Sequence, residues 1–270
     1  MKIGIIGAGN VGFALAKSLT RIGHNVKVAN SRGQDSLKKF GQETGASGVG
    51  IEVIAIDVDL LILAIPLSSV LNLPMSLKSS LSKAVIVVDA GNYIPQRDGR
   101  IAGIENGLPE TKWVAAQLGH SVIKAFNNII ASNILTNHID RQAKDRIALP
   151  LAGDDPESLK IVIKLVEELG FTGFNAGNLS ESWRWQPGQP AYCTNPSISE
   201  LPKLLARADI TKAPLNRDKA MKLMARLTPD YPSEDLVRIS RLSAGMDVFN
   251  AKSWLAMLKL AIAITFSKKK

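Results

Sequence analysis

Gly7, Gly9 and Gly12 stand in the run Gly7-Ala8-Gly9-Asn10-Val11-Gly12, directly after an apolar, strand-like segment, Lys2 to Gly7. Behind them Val11, Leu15, Ser18, Leu19 and Ile22 recur at helical spacing, and Gly23 stops that helix before a second strand from Asn25 to Asn30. In this setting each glycine has a task. Gly7 permits a tight turn, Gly9 lets main chain approach a pyrophosphate with no Cβ in the way, and Gly12 allows close packing of helix on strand. The N–H groups of Asn10 and Val11, with the helix dipole, favour the negative charge. A bare glycine pattern is common in turns, but strand, turn, helix and second strand in succession point to a dinucleotide site.

The residues after the second strand choose between dinucleotides. A carboxylate there accepts hydrogen bonds from an unmodified adenosine ribose. This chain offers Asn30, Ser31 and Arg32 instead. A guanidinium and a hydroxyl bind a 2′-phosphate that a carboxylate would repel, so NADP(H) is the expected cofactor. The alternative is that Arg32 is an ordinary surface arginine.

In open α/β sheets ligands lie at the carboxyl ends of the strands, which sorts the remaining polar residues by edge. Ala64, Ile65 and Pro66, then Asp89 to Asn92, then Lys124 to Asn127 fall on the ligand edge. Pro66 re-aims the chain, and Asn92 and Asn127 can donate to carbonyl or ribose oxygens without titrating. Lys124 and Tyr93 are the obvious proton donors there and the candidate catalytic groups, each with a structural alternative. Asp89 is suited to capping the turn that follows it. His24, His120 and His138 fall on the far edge and are read as structural or surface residues. Cys193 has no histidine near it in sequence, which leaves a nucleophilic role without support. One cysteine also excludes an intramolecular disulfide and a multi-cysteine zinc site, and no metal is expected.

These groups need a scaffold, and the rest of the chain describes one. Short β-branched runs at Leu60 to Ile65, Ala84 to Asp89, Ser121 to Ala125, Ile147 to Ala152 and Phe171 to Ala176 alternate with helical patterns. That order predicts an α/β fold of Rossmann type, a doubly wound, mostly parallel sheet, with an all-helical C-terminal extension. Gly50 to Asp59 fits a strand or a short helix. Asp154, Asp155, Pro156 and Glu157 open a helix that should end at Gly170. The expected division is a dinucleotide-binding domain over 1–180, a Pro/Gly-rich connection over 181–198 and a helical region over 199–270. With 270 residues, 46% of them hydrophobic, the chain can bury a large core, and disorder is excluded. The net charge of +9 is uneven: residues 1–200 carry 19 Lys and Arg against 18 Asp and Glu, whereas 201–270 carry 14 against 6. Any polyanion partner would concern the C-terminal quarter, whose plainer reading is a solvated helical surface, and no nucleic acid is expected.

Gly7 to Gly12, Asn30-Ser31-Arg32, Ala64-Ile65-Pro66, Lys124-Ala125-Phe126-Asn127 and Ala152-Gly153-Asp154-Asp155 together resemble the NADPH-dependent coenzyme F420 reductases. The oxidoreductase domain of the STEAP metalloreductases is similar over the same stretch, about residues 1–195. The resemblance implies hydride transfer between NADPH and a planar acceptor such as coenzyme F420 or a flavin. It implies that Gly9 to Gly12 hold the pyrophosphate, Ser31 and Arg32 the 2′-phosphate, and Ile65, Pro66 and Ala125 the nicotinamide half. Archaeal members often carry a lysine four positions beyond the arginine; this chain has Ser36 there, which implies a differently built phosphate clamp. The region from Glu200 onward has no counterpart in that comparison.

Two other readings stay open. One is an imine or 3-hydroxy-acid reductase of the 6-phosphogluconate dehydrogenase-like group, which would need a donor for the alkoxide oxygen. The other is a non-catalytic, NADP(H)-sensing binding module. The apolar stretch Ser253 to Phe266, followed by Lys268 to Lys270, reads as a helix docked on the main domain or a second subunit, as a weak membrane-surface helix, or as a loosely ordered end. A homodimer that closes the substrate crevice is one of these outcomes. No apolar run is long enough to cross a membrane and the chain does not open on a signal peptide, so a cytoplasmic location is expected.

Overall fold

The computed structural model describes residues 1–136 and 146–266. Six strands, β1 (Lys2–Ile6), β2 (Asn25–Ala29), β3 (Ser47–Gly48), β4 (Leu60–Leu63), β5 (Ile86–Asp89) and β6 (Val122–Lys124), form one sheet in the order β3-β2-β1-β4-β5-β6. Every pairing in it is parallel. Its central strands are apolar on both faces because helices cover both. Ile3, Ile5, Leu60 and Ile62 enter one buried cluster together with Leu15 and Leu19 of α1 (Asn10–Arg21). Their neighbours Ile6, Leu61, Leu63 and Val87 point the other way, into a second cluster with Leu77 and Val114. This alternation is the two-residue period of a pleated strand.

On the β2 side, α2 (Lys38–Thr44) leads into β3. The ambiguous stretch Gly50 to Asp59 is neither strand nor helix but a series of turns, with Asp57 at φ 54°. Its mixed periodicity reflects Ile54 and Ala55 turned into the core from a loop. Between β4 and β6 lie α3 (Met75–Ser80), the short turns α4 (Pro95–Asp98) and α5 (Ala102–Glu105), and α6 (Glu110–Leu118). The helix after β6, α7 (Ala131–Thr136), packs on α1, and Ser18 Oγ donates to Ile134 O across that contact at 3.2 Å.

Two expected strands leave the main sheet. β7 (Ala148–Leu151) and β8 (Thr172–Asn175) pair in parallel with each other, with α8 (Pro156–Glu168) between them in sequence. They meet β6 through a single antiparallel bridge, Lys124 to Ala152. Their register runs from Ala148 with Thr172 to Leu151 with Asn175, and Pro150 brings one donor fewer to β7. α8 starts as its sequence requires: Asp155 accepts hydrogen bonds from the N–H groups of Glu157 and Ser158, and the chain turns at Gly170 with φ 89°.

The segment after β8 passes through a 3₁₀ turn, Leu179–Trp185, into four helices: α9 (Leu201–Ala206), α10 (Ala213–Met224), α11 (Ser233–Ser243) and α12 (Ala251–Phe266). Trp185, Leu201, Leu204 and Ala244 build a third cluster against Ala148 and Ala152. α10 returns to the main sheet. A Cβ on Gly188 would lie 2.1 Å from Ala213 O, and Arg217 sits over the Tyr93 ring at 5.1 Å. α12 packs along α11 and carries Trp254, Leu255, Leu258, Ile262 and Phe266 exposed. His138 and Lys268 to Lys270 lie outside the described residues.

Candidate functional site

The three glycines differ in what they touch. Gly7 has φ 119°, and a Cβ there would lie 2.3 Å from Ala64 O. A Cβ on Gly12 would lie 1.9 Å from Gly7 O. Both are required by the fold itself. Gly9 is not: its φ of −83° suits any residue, it is exposed, and a Cβ would meet nothing within 4 Å. It is also the N-cap of α1, with no side-chain acceptor on the first N–H groups and no acidic residue in the first turn. An uncapped helix start with glycine at its mouth leaves main-chain donors and positive dipole facing open space, the requirement for a phosphate.

At the end of β2, Asn30 Oδ1 accepts the Arg32 N–H at 2.9 Å, and Ser36 Oγ donates to Gly33 O at 2.8 Å. Asn30 Nδ2 in turn donates to Ser36 Oγ at 2.9 Å. This small network fixes the loop and leaves the side chains of Ser31 and Arg32 exposed. Ser36 thus shapes the loop as well as facing it.

The loops after β4 and β5 touch. A Cβ on Gly91 would lie 2.9 Å from Leu67 Cδ1 and 3.3 Å from Ile65 O, so glycine lets the two approach. Ala64, Ile65, Pro66 and Asn92 remain partly exposed at this edge. Asn92 and Asn127 are bonded to each other: Asn92 Nδ2 donates to Asn127 O at 2.9 Å, and Asn127 Nδ2 donates to Asn92 Oδ1 at 3.1 Å and to Trp185 O at 3.2 Å. Arg97 Nη2 holds Asn92 O at 2.6 Å.

Three expected site residues are not at the surface of this crevice. Ala125 is fully enclosed, with its N–H on Asp89 O at 3.2 Å. Lys124 is also fully enclosed, which removes it from proton exchange with the crevice. Its ammonium donates to Gly91 O at 2.6 Å and to Asp89 Oδ2 at 3.2 Å. Tyr93 is buried, its hydroxyl accepts the Ile101 N–H at 3.1 Å, and burial raises the phenol above its ordinary range. Strand alternation explains Lys124: a strand-end lysine reaches solvent only when it faces outward, and this one faces α6 and β5.

The reading of the sequence passed over Glu110 and Thr111. Thr111 Oγ1 donates to Asp89 Oδ2 at 2.6 Å, and Glu110, 2% exposed, lies beside the Tyr93 main chain with its Oε2 3.7 Å from Lys124 Nζ. Burial lifts the Glu110 carboxyl to about 7. Pro109 just before Glu110 and Thr111 marked a helix start, but nothing local showed that this start points into the interior.

The other candidates lie elsewhere. His24 reaches the N-terminal amine at 3.1 Å and Glu168 at 3.2 Å, and His120 bonds Ser121 O and Ser82 O. Cys193 occupies a left-handed conformation, φ 57°, and burial pushes its thiol up to about 12. Trp185 is wholly buried, whereas Arg184 stacks on Trp183 at 5.4 Å. Among the described residues no group of three or more His, Cys, Asp or Glu could hold a metal, and no helix is long and apolar enough to cross a membrane.

Comparison with known proteins agrees with this geometry. Residues 2–93 match the family described as NADP oxidoreductase, coenzyme F420-dependent. The crystal structure of SMa0349 from Sinorhizobium meliloti is 30% identical, covering 73% of this chain and 95% of that one, with a TM-score of 0.62. A protein of Arthrobacter sp. FB24 named as a candidate F420-dependent NADP-reductase shares the fold at 19% identity and TM-score 0.57, over 67% of this chain and 87% of its own. YjhV of Escherichia coli (strain K12) is 37% identical over 57 residues, which is 21% of this chain and 42% of that protein. With its glycine turn, β2 loop and β4 edge inside the matched segment, and a relative aligned over nearly its whole length, the chain belongs to the NADP oxidoreductase, coenzyme F420-dependent family.

Proposed function

We propose that the protein binds NADP(H) along the β1–α1 turn and the β2 loop and transfers hydride between it and a planar acceptor, coenzyme F420 or a flavin. The observation that carries this reading is Gly9: a glycine the fold does not need, at an uncapped helix start. Gly9, Asn10 and Val11 would hold the pyrophosphate, and Ser31 and Arg32 the 2′-phosphate. Ala64, Ile65, Pro66 and Asn92 would line the nicotinamide half. The bound dinucleotide supplies the hydride. The chain's task is then to position two rings and exclude water, and no exposed acid/base pair is needed beside them.

The enclosure of Lys124 and Tyr93, the two candidate proton donors of this edge, favours a ring acceptor over a ketone or hydroxy acid. The test is calorimetric titration with NADPH and NADH, followed by NADPH oxidation measured at 340 nm with coenzyme F420, FMN, small imines and keto acids. Turnover confined to the imines and keto acids rejects the planar acceptor. Tight NADPH binding with no acceptor giving turnover supports a sensing module instead.

The uncovered face of α12 supports a homodimer. Trp254, Leu255, Leu258, Ile262 and Phe266 of α12, with Phe249 just before it, are exposed. They leave roughly 700 Å² of apolar surface, close to the ~800 Å² that each partner contributes to a standard interface.

A further inference from the structure

The loop that leads from β5 into the crevice is held from behind by three charged side chains. Asp89 Oδ1 accepts the Gly91 N–H at 2.8 Å, Lys124 Nζ donates to Gly91 O at 2.6 Å, and Glu110, beside the Tyr93 main chain, brings Oε2 to 3.7 Å from that ammonium. These charges come from β5, β6 and α6 and are 1%, 0% and 2% exposed. Asn92, between the gripped residues, is the one member of the loop from Asp89 to Tyr93 that reaches the surface. A hydrophobic core would hold the sheet here at lower desolvation cost, since burying three charges is expensive unless each is bonded.

We infer that Asp89, Lys124 and Glu110 are positioning residues that clamp the main chain of Gly91 to Tyr93 and so set Asn92 and the nicotinamide half of the site. The inference rests on the NADP(H) reading above. The clamp contains one cation and two carboxylates. Asp89 Oδ2 takes hydrogen bonds from both Lys124 and Thr111, whereas Glu110 Oε2 has no hydrogen-bond partner and stands 3.7 Å from the ammonium. The groups facing Glu110 are Lys124 of β6, Asp89 of β5, Arg217 of α10 and Tyr192 of the connection. Burial and Asp89 oppose its charge, and Lys124 and Arg217 favour it. When Glu110 is neutral, Lys124 is committed to Asp89 and to Gly91 O. When it ionises, the ammonium is shared with a third oxygen and its hold on the Gly91 carbonyl weakens.

The experiment compares two probes by calorimetry: NADPH, which fills the whole site, and adenosine 2′,5′-bisphosphate, which occupies only the adenosine end. Lys124→Met should weaken NADPH by about tenfold or more, the loss of a charged hydrogen bond, and leave the bisphosphate within about twofold. Glu110→Gln keeps the size and shape of the side chain while removing its charge. The wild type should lose NADPH affinity as pH rises through about 7, and Glu110→Gln should lose that dependence. Equal losses for both probes, or an unaltered pH profile in Glu110→Gln, would overturn the clamp. If the wild type binds neither probe, the NADP(H) reading itself fails, and the two failures are distinct.

Discussion

Replacing Gly9 by alanine separates a glycine kept for the fold from one kept for a ligand. The alanine Cβ would enter space with no protein atom within 4 Å, and the backbone at φ −83° and ψ −171° accepts any residue. Alanine caps a helix slightly less well than glycine but reduces the freedom of the unfolded chain. The net change in stability should therefore stay within about 1 kcal/mol. Binding is another matter. The added methyl group stands where the pyrophosphate must approach the α1 N–H groups, and each charge-assisted hydrogen bond it displaces contributes about 1.5–3 kcal/mol. Loss of one or two such bonds predicts an NADPH affinity lower by about tenfold to about twenty-thousandfold at about 1.4 kcal/mol per decade. Gly12→Ala is the control. Its Cβ would stand 1.9 Å from Gly7 O, so the variant should lose thermal stability by several degrees or fail to fold. Thermal melts and calorimetric titration with NADPH read both quantities. A Gly9→Ala protein that melts normally and still binds NADPH at wild-type affinity would refute the pyrophosphate assignment, since the open space would then have no ligand in it.

Arg32→Ala should weaken NADPH by about 10- to 150-fold through one lost charged hydrogen bond, and leave NADH unchanged; parallel losses would place Arg32 outside the phosphate site. Glu110 binds its proton more tightly in the folded chain, at about 7 against 4.5. Its ionisation therefore works against the fold: this contribution is absent below about pH 4.5 and costs about 3 kcal/mol above pH 7, at about 1.4 kcal/mol per unit. In denaturant melts across pH 5 to 8 the wild type should lose about 2–3 kcal/mol of stability relative to Glu110→Gln, and curves that stay parallel would show Glu110 charged throughout. The half-buried Cys193 thiol, raised to about 12 by desolvation, should react with a disulfide reagent at pH 8 several hundredfold or more slower than a free thiol; rapid labelling of the native protein would show that its thiol is not raised. Phe249→Asp with Trp254→Asp should convert a dimer to monomer in analytical ultracentrifugation, and a monomeric wild type would remove the α12 face from consideration.

The sequence by itself determined the parts of the protein that are set locally. The turn from Gly7 to Gly12, the exposed Ser31 and Arg32 after β2, and the start of α8 at Asp155 and Pro156 depend on residues within a few positions of one another. Sterics, helix-end donors and capping act over that range and could be read directly. Burial could not. Lys124 and Tyr93 looked like proton donors because of their chemistry, and Ala125 like a contact because of its place at a strand end. Which way a strand-end side chain faces is decided by the partners across the sheet: for Lys124 these are Asp89 and Gly91 at the end of β5, 35 and 33 residues away, and Glu110 of α6. Glu110 shows the limit most clearly. A glutamate after a proline in a helical stretch is ordinary on a surface, and only the packing of α6 over β5 and β6 turned it inward to face Lys124. The departure of β7 and β8 from the main sheet has the same origin, because strand pairing is a choice among distant edges, and the local pattern of apolar residues is identical whichever edge is taken.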